Sequence, residues 1–205
     1  AEGSPRAISW ERLGPERTVS FSLNKSLEVE YVKGGAALLE WRRVQRHDEE
    51  EGVFPLEVTF SQDTKDKEVV LELSYHGVFY KPLDSPDEPE ATIAPDFIYL
   101  TPRAHWYADT PGSLSTFKVG CWLPLGYEAV TQGTLVEKRK EGERLFVLWQ
   151  GDFPSDACFL VAAKYRVTHE KHGQIDLYTF FFPEEQELAT TYLEASGRYL
   201  DMYQE

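Results

Sequence analysis

Apolar and polar residues alternate with a period of two through most of the first 182 residues, and this spacing constrains the fold more than any other feature. "TVSFSL" alternates Val19, Phe21 and Leu23, and "SLEVEY" alternates Leu27, Val29 and Tyr31. After "KGG" comes "ALLEWRRV", and the polar run "QRHDEEEG" reads as a hairpin tip. "PLEVTF" sets Leu56, Val58 and Phe60 on one face. Beyond the turn "SQDTKDKE", "VVLELSY" does the same with Val69, Leu71, Leu73 and Tyr75. "DFIYLT", "TFKVGCWLP", "RLFVLWQ", "ACFLVAAKYRV" and "QIDLYTFFF" continue the pattern. Successive side chains of a strand point to opposite faces, so each segment can bury one face and wet the other. Roughly a dozen such strands with short connections predict a mainly β fold, an antiparallel β-sandwich or saddle. "KPLDSPDEPEATIAPD" carries four prolines and five acids and reads as a long surface loop.

The period changes at Pro183. "PEEQELATTYLEASGRYLDMYQE" puts Leu188, Tyr192, Ala195, Tyr199 and Met202 at steps of four and three, the stripe of an amphipathic helix. Pro183 suits its first position, and Glu184 and Glu185 suit the positive end of its dipole. Gly197 costs about 1 kcal/mol within it, so the helix depends on packing. Residues 1–182 are therefore expected to form a β domain, and residues 183–205 a helix leading into a further domain.

Thirty-five acidic against 21 basic residues give a formal charge of −14, which excludes a phosphate backbone as partner. Such a balance makes either a simply solvated acidic surface or one that attracts cationic peptides or metal ions. No segment approaches the roughly 20 apolar residues of a membrane-spanning helix. The first residues lack the apolar core of a signal peptide, and both an exported and a cytoplasmic location fit. Cys121 and Cys158 form no C-x-x-C pair, and both lie in apolar, strand-like text. A disulfide between them would require an oxidising compartment.

"THEKHG", residues 168–173, falls one residue short of the zinc-peptidase signature H-E-x-x-H. That signature needs two histidines four apart on a helix. His169 and His172 are three apart and lie between two alternating segments. Gly173 follows, as in a hairpin loop of about four or five residues, where both imidazoles would be exposed with no carboxylate fixed beside them. No G-x-S-x-G elbow, phosphate-cradling glycine loop or calcium-loop spacing occurs. No catalytic, cofactor-binding or metal-binding residue is therefore expected in this chain. "TPRAHWYADTPG" clusters Arg103, His105, Trp106 and Tyr107. These aromatics either anchor a sheet edge or stack on a ligand.

Several segments in order then resemble the amino-terminal domain of the zinc aminopeptidase family, which includes membrane alanyl aminopeptidase and leukotriene hydrolase. "LELSYHG" is similar to the family's L-x-L-x-Y-x-G strand, and "WYADTPG" to its W-Y-P or P-C-x-D-x-P segment. "FKVGCWLPLGYEAVTQG" resembles F-x-V-x-x-x-x-P-x-G-Y-x-A-V-x-x-G through Phe117, Val119, Pro124, Gly126, Tyr127, Ala129 and Gly133. "CFLVAAKYRV" is similar to a Y-L-x-A-x-x-x-G-x-F strand, and the closing helix to the segment entering the catalytic domain. The resemblance covers residues 65–205 well and the first 60 loosely.

It implies a β-saddle without cofactor of its own. Zinc would sit in the next domain, on H-E-x-x-H and a more distant Glu. The parent would hydrolyse peptides from the amino terminus with a zinc-activated water. The implied partners are that catalytic domain, docked through the C-terminal helix, and the peptide substrate. Two departures stand out. The family's amine-gripping T-Q-x-[QE] segment has no equivalent in "DFIYLTPRAHWY", and the usual first strand pair is shortened at "AEGSPRAISW". The alternative is an independent β-sandwich module that binds carbohydrate or peptide through "HWYADTPG".

Overall fold

The computed structural model describes residues 6–9, 17–45, 52–63, 68–79, 91–110 and 112–204. The expected hairpin tip at 46–51, the turn at 64–67 and most of the proline-rich loop, 80–90, lie outside them. Within the described residues the chain is built from antiparallel sheets and one closing helix, the mainly β class that the alternation predicts.

Two three-stranded sheets of the first half enclose one core. One sheet has the order β1 (Arg6–Ser9), β6 (Glu68–Gly77), β3 (Leu27–Lys33). The other has the order β2 (Thr18–Phe21), β5 (Leu56–Phe60), β4 (Leu38–Arg43). Phe21, Val32, Leu56, Val58, Phe60 and Leu71 meet between them. Full burial of such a side chain stabilises by about 1.5–3 kcal/mol. Alternation is interrupted in β3, where the register slips between Val29 and Tyr31. A bulge of this kind re-aims the residues beyond it. Leu27 and Val32 are buried, whereas Tyr31 donates its hydroxyl to Glu72 Oε1 at 2.6 Å on the surface.

A second sandwich follows. Strands β7 (Ala91–Ile93), β8 (Phe97–Leu100), β13 (Leu160–Ala163) and β10 (Glu128–Val130) form one sheet in that spatial order. Strands β11 (Thr134–Glu141), β12 (Arg144–Ser155) and β9 (Ser115–Pro124) form the other. Leu100, Leu123, Tyr127, Val147, Leu160 and Ala162 fill the space between. Three strands depart from expectation. β7 lies inside the supposed loop, and β10 and β11 carry too little apolar alternation to be seen. The segment "ACFLVAAKYRV" is also two strands, because the chain bends at Lys164 and Tyr165 before entering β14 (Arg166–His172).

β14 pairs with β15 (Ile175–Phe181) as a separate two-stranded ribbon. Pro183 opens a 3-10 turn, Pro183–Leu188, and the α-helix α1 runs over Ala189–Gln204. The helical face that packs differs from the expected stripe. Ala189, Leu193 and Gly197 are buried, while Leu188, Tyr192, Tyr199 and Met202 are exposed. Small residues on the buried face let the helix backbone approach the ribbon closely, which the tyrosines would prevent.

Candidate functional site

The histidines of "THEKHG" both lie on β14, not in a loop. His172 pairs with Ile175, so the connection is only Gly173 and Gln174. Gly173 has φ 59° while Gln174 is not among the positive-φ residues, the pattern of a type II′ turn. An odd spacing on a strand sends two side chains to opposite faces. His169 therefore points to one side of the ribbon and His172 to the other, and the two cannot share a metal ion.

Each imidazole does have a carboxylate beside it, contrary to expectation. His169 Nε2 donates to Asp176 Oδ1 at 2.8 Å, and its ring stacks on its cross-strand neighbour Tyr178 with centroids 4.5 Å apart. The His169 hydrogen bond, with Lys171 nearby, holds the Asp176 carboxyl below the usual range. His172 Nε2 donates to Asp201 Oδ1 at 2.7 Å, in the last turns of α1. The sequence hid both carboxylates, one across the turn and the other on an element 29 residues away. Among the described residues no group of three or more His, Cys, Asp or Glu converges to hold a metal. His169 and His172, each with a single carboxylate on opposite faces, do not make a zinc site.

The aromatic segment is a structural corner. Pro102–Ala104 form a 3-10 turn, and His105 leaves it in the left-handed region with φ 45°. From there the backbone zips against the first sandwich. Asn24 N donates to His105 O at 2.9 Å, Asn24 Nδ2 to Ala104 O at 2.8 Å, and Ser22 N to Asp109 O at 2.7 Å. Tyr75 Oη, from β6, donates to Trp106 O at 3.2 Å. Trp106 packs on the second core and donates its indole N–H to Cys158 O at 3.3 Å. Tyr107 Oη accepts from Cys158 N at 3.1 Å, and its ring meets Phe117 edge-on. The polar tips of both aromatics are thus engaged within the protein, joining the two sandwiches. His76 lies on the surface beside Glu28 and Glu30. Cys121 and Cys158 form no disulfide, and burial, with Cys158 nearby, pushes the Cys121 thiol up to about 11.

Two further surfaces stand out. The first is the outer stripe of α1. Tyr199 is 61% exposed and Met202 69%, and Tyr192, 55% exposed, meets Phe181 of β15 edge-on. The second is an open pocket of about 750 Å³ between the second sandwich and the His169 face of the ribbon. Val147 and Trp149 of β12, Leu135 of β11, and Val167, Tyr178 and Phe180 of the ribbon line it. No residue of this pocket was foreseen from sequence. The available signal was "IDLYTFFF", which is apolar on both faces beyond Asp176 and so expects contacts on two sides.

No protein-family model matches the chain, and no curated protein matches it significantly. Solved structures do resemble it. The M1 zinc metallopeptidase from Deinococcus radiodurans superposes with TM-score 0.56 at 17% identity, over 79% of this chain and 38% of that one. The same protein type with a Tyr-Ser-Ala substrate gives TM-score 0.56 at 17% identity, over 82% and 39%. A two-domain M1 zinc metallopeptidase bound to L-arginine gives TM-score 0.58 at 16% identity, over 86% and 44%. The chain thus has the fold of a portion of M1 zinc metallopeptidases, as the resemblance of its motifs anticipates. It spans about two fifths of the length of those proteins.

Proposed function

We propose that this chain is a non-catalytic, amino-terminal domain of a zinc metallo-aminopeptidase-like protein. Residues 1–182 form the β domain, and residues 183–205 lead towards the catalytic one. In this reading the chain shapes one wall of the peptide cleft and docks on the catalytic domain through α1. The parent removes residues from peptide amino termini, with its zinc held by that other domain. The observation that carries the proposal is the match of most of this chain to a minor part of two-domain zinc metallopeptidases. Exposed Tyr199 and Met202 support α1 as the docking element, since a helix facing only water on that side would gain nothing from two large apolar residues.

Assay of the 205-residue chain on an aminoacyl-anilide, with and without Zn²⁺, is expected to show no turnover. Zinc-dependent turnover by this chain would overturn the proposal. The reading frame is further expected to continue past Glu205 into an H-E-x-x-H segment. The independent-module reading is not favoured, because Trp106 and Tyr107 spend their polar groups on Cys158.

A further inference from the structure

We propose that the pocket between the second sandwich and the β14–β15 ribbon binds an extended peptide with an apolar anchor residue and basic flanks. The inference stands whether or not the parent is a peptidase. Its volume of about 750 Å³ lies within the 300–1,000 Å³ typical of ligand sites. The walls are apolar and accessible: Tyr178 is 56% exposed, Leu135 41% and Val167 39%. Apolar groups left wet in a concavity mark a place where another surface removes them from water.

One side of the pocket is a sheet edge. Residues 128–131 line it, and β10 pairs on one side with β13 and, among the described residues, with no strand on the other. An unpaired edge offers alternating N–H and C=O groups, which an extended peptide satisfies by adding as a strand. That edge is held in place before any ligand arrives. Gln132 Nε2 donates to Ala157 O at 2.9 Å, and Gln132 Oε1 accepts from Phe159 N at 2.9 Å. Gly133 has φ 98°, and a Cβ there would lie 2.2 Å from Gln150 O, so only glycine fits. A rigid edge lowers the ordering cost of binding.

Charge selects among peptides. Glu128, Lys138 and Asp176 line the pocket, with Lys138 Nζ 2.6 Å from both Glu128 oxygens and Lys171 Nζ 3.5 Å from Asp176 Oδ2. The lining itself is therefore close to neutral, and the preference comes from the field of the whole chain. The whole chain carries −14, so basic flanks are drawn towards the site and acidic ones repelled.

The test uses a fluorescein-labelled peptide, Lys-Thr-Val-Phe-Val-Thr-Lys, titrated by anisotropy against the 205-residue chain, with amide exchange followed in parallel. Saturable binding is expected, with slowed exchange at residues 128–131. Tyr178→Ser and Leu135→Ser are expected to weaken it about tenfold each, the loss expected of roughly 1.4 kcal/mol. Both side chains are exposed, so the fold persists. Phe153→Ser, 88% exposed and outside the pocket, serves as the control and is expected to change nothing. Replacing both lysines of the peptide by glutamate is expected to weaken binding at low salt. Equal affinity across all variants would overturn the proposal. So would unchanged exchange at 128–131, or sedimentation showing that a second copy of the chain covers the pocket.

Discussion

Strands β5 and β15 are equally apolar on paper, yet only one is buried. In β5, "LEVTF", Leu56, Val58 and Phe60 are at most 1% exposed. In β15, "IDLYTFF", no residue is fully buried and Tyr178 is 56% exposed. β5 is the central strand of its sheet and faces a second sheet across a core. β15 has one partner strand, α1 on one face and an open pocket on the other. Alternation therefore reports extended backbone, and burial is decided by what covers the strand. The same contrast separates a region closed around a core from one whose apolar side chains stay in contact with water.

The largest effect should come from the core. Phe60→Ala is expected to destabilise by about 3–5 kcal/mol, through lost transfer energy and the cavity it leaves. Tyr178→Ser on the ribbon should cost under about 1 kcal/mol. Urea unfolding of the two variants measures the difference directly, and comparable losses would mean that the ribbon belongs to the core after all.

A smaller effect follows from pH. Burial raises the Cys121 thiol from 9.0 to about 11 in the folded chain, with Cys158 nearby as a second cause. The unfolded chain releases that proton first, so the stability linked to it is complete below pH 9 and is lost as pH climbs towards 11. A two-unit shift sets an upper bound of about 3 kcal/mol. Subtracting the pH profile of Cys121→Ala removes the contribution of titrating lysines and tyrosines. Superimposable profiles would show that the thiol is solvated, and the second sandwich looser there than β5 is in the first.

The same contrast explains what the sequence made legible. The strands with clean alternation, such as β2, β5 and β9, could be read because one face of each meets a core. β11, "TLVEKRKE", could not, because it is an edge strand whose inward Lys138 reaches Glu128 across the pocket rim. The corner "TPRAHWYADTPG" was visible as an aromatic cluster, but its role depends on bonds to Asn24, Tyr75 and Cys158, which only the folded chain brings near. The pocket escaped notice for a related reason: its walls come from β10, β11, β12 and the ribbon, with no local signature. The helix is legible from its period, but the side of it that packs on the ribbon is not, because that side is marked only by Ala189, Leu193 and Gly197, too few large apolar residues to stand out.

The smallest expected effect probes that packed side of the helix. Alanine is preferred to glycine in a helix interior by about 1 kcal/mol, so Gly197→Ala should stabilise α1 taken alone. On the docked helix a Cβ at this position would lie 2.8 Å from His172 Nδ1 and 3.1 Å from Cε1. The imidazole cannot simply swing away without breaking its 2.7 Å bond to Asp201. Gly197→Ala is therefore expected to destabilise the chain by about 1 kcal/mol, and to stabilise it by a similar amount when made in a His172→Ala background. The coupling, about 2 kcal/mol, is read from a double-mutant cycle by urea denaturation. If Gly197→Ala stabilised both backgrounds alike, His172 would not be seated on the helix. The ribbon would then carry α1 less firmly than the first sandwich carries β5, and the outer residues of the helix would lose the fixed platform on which the proposed docking rests.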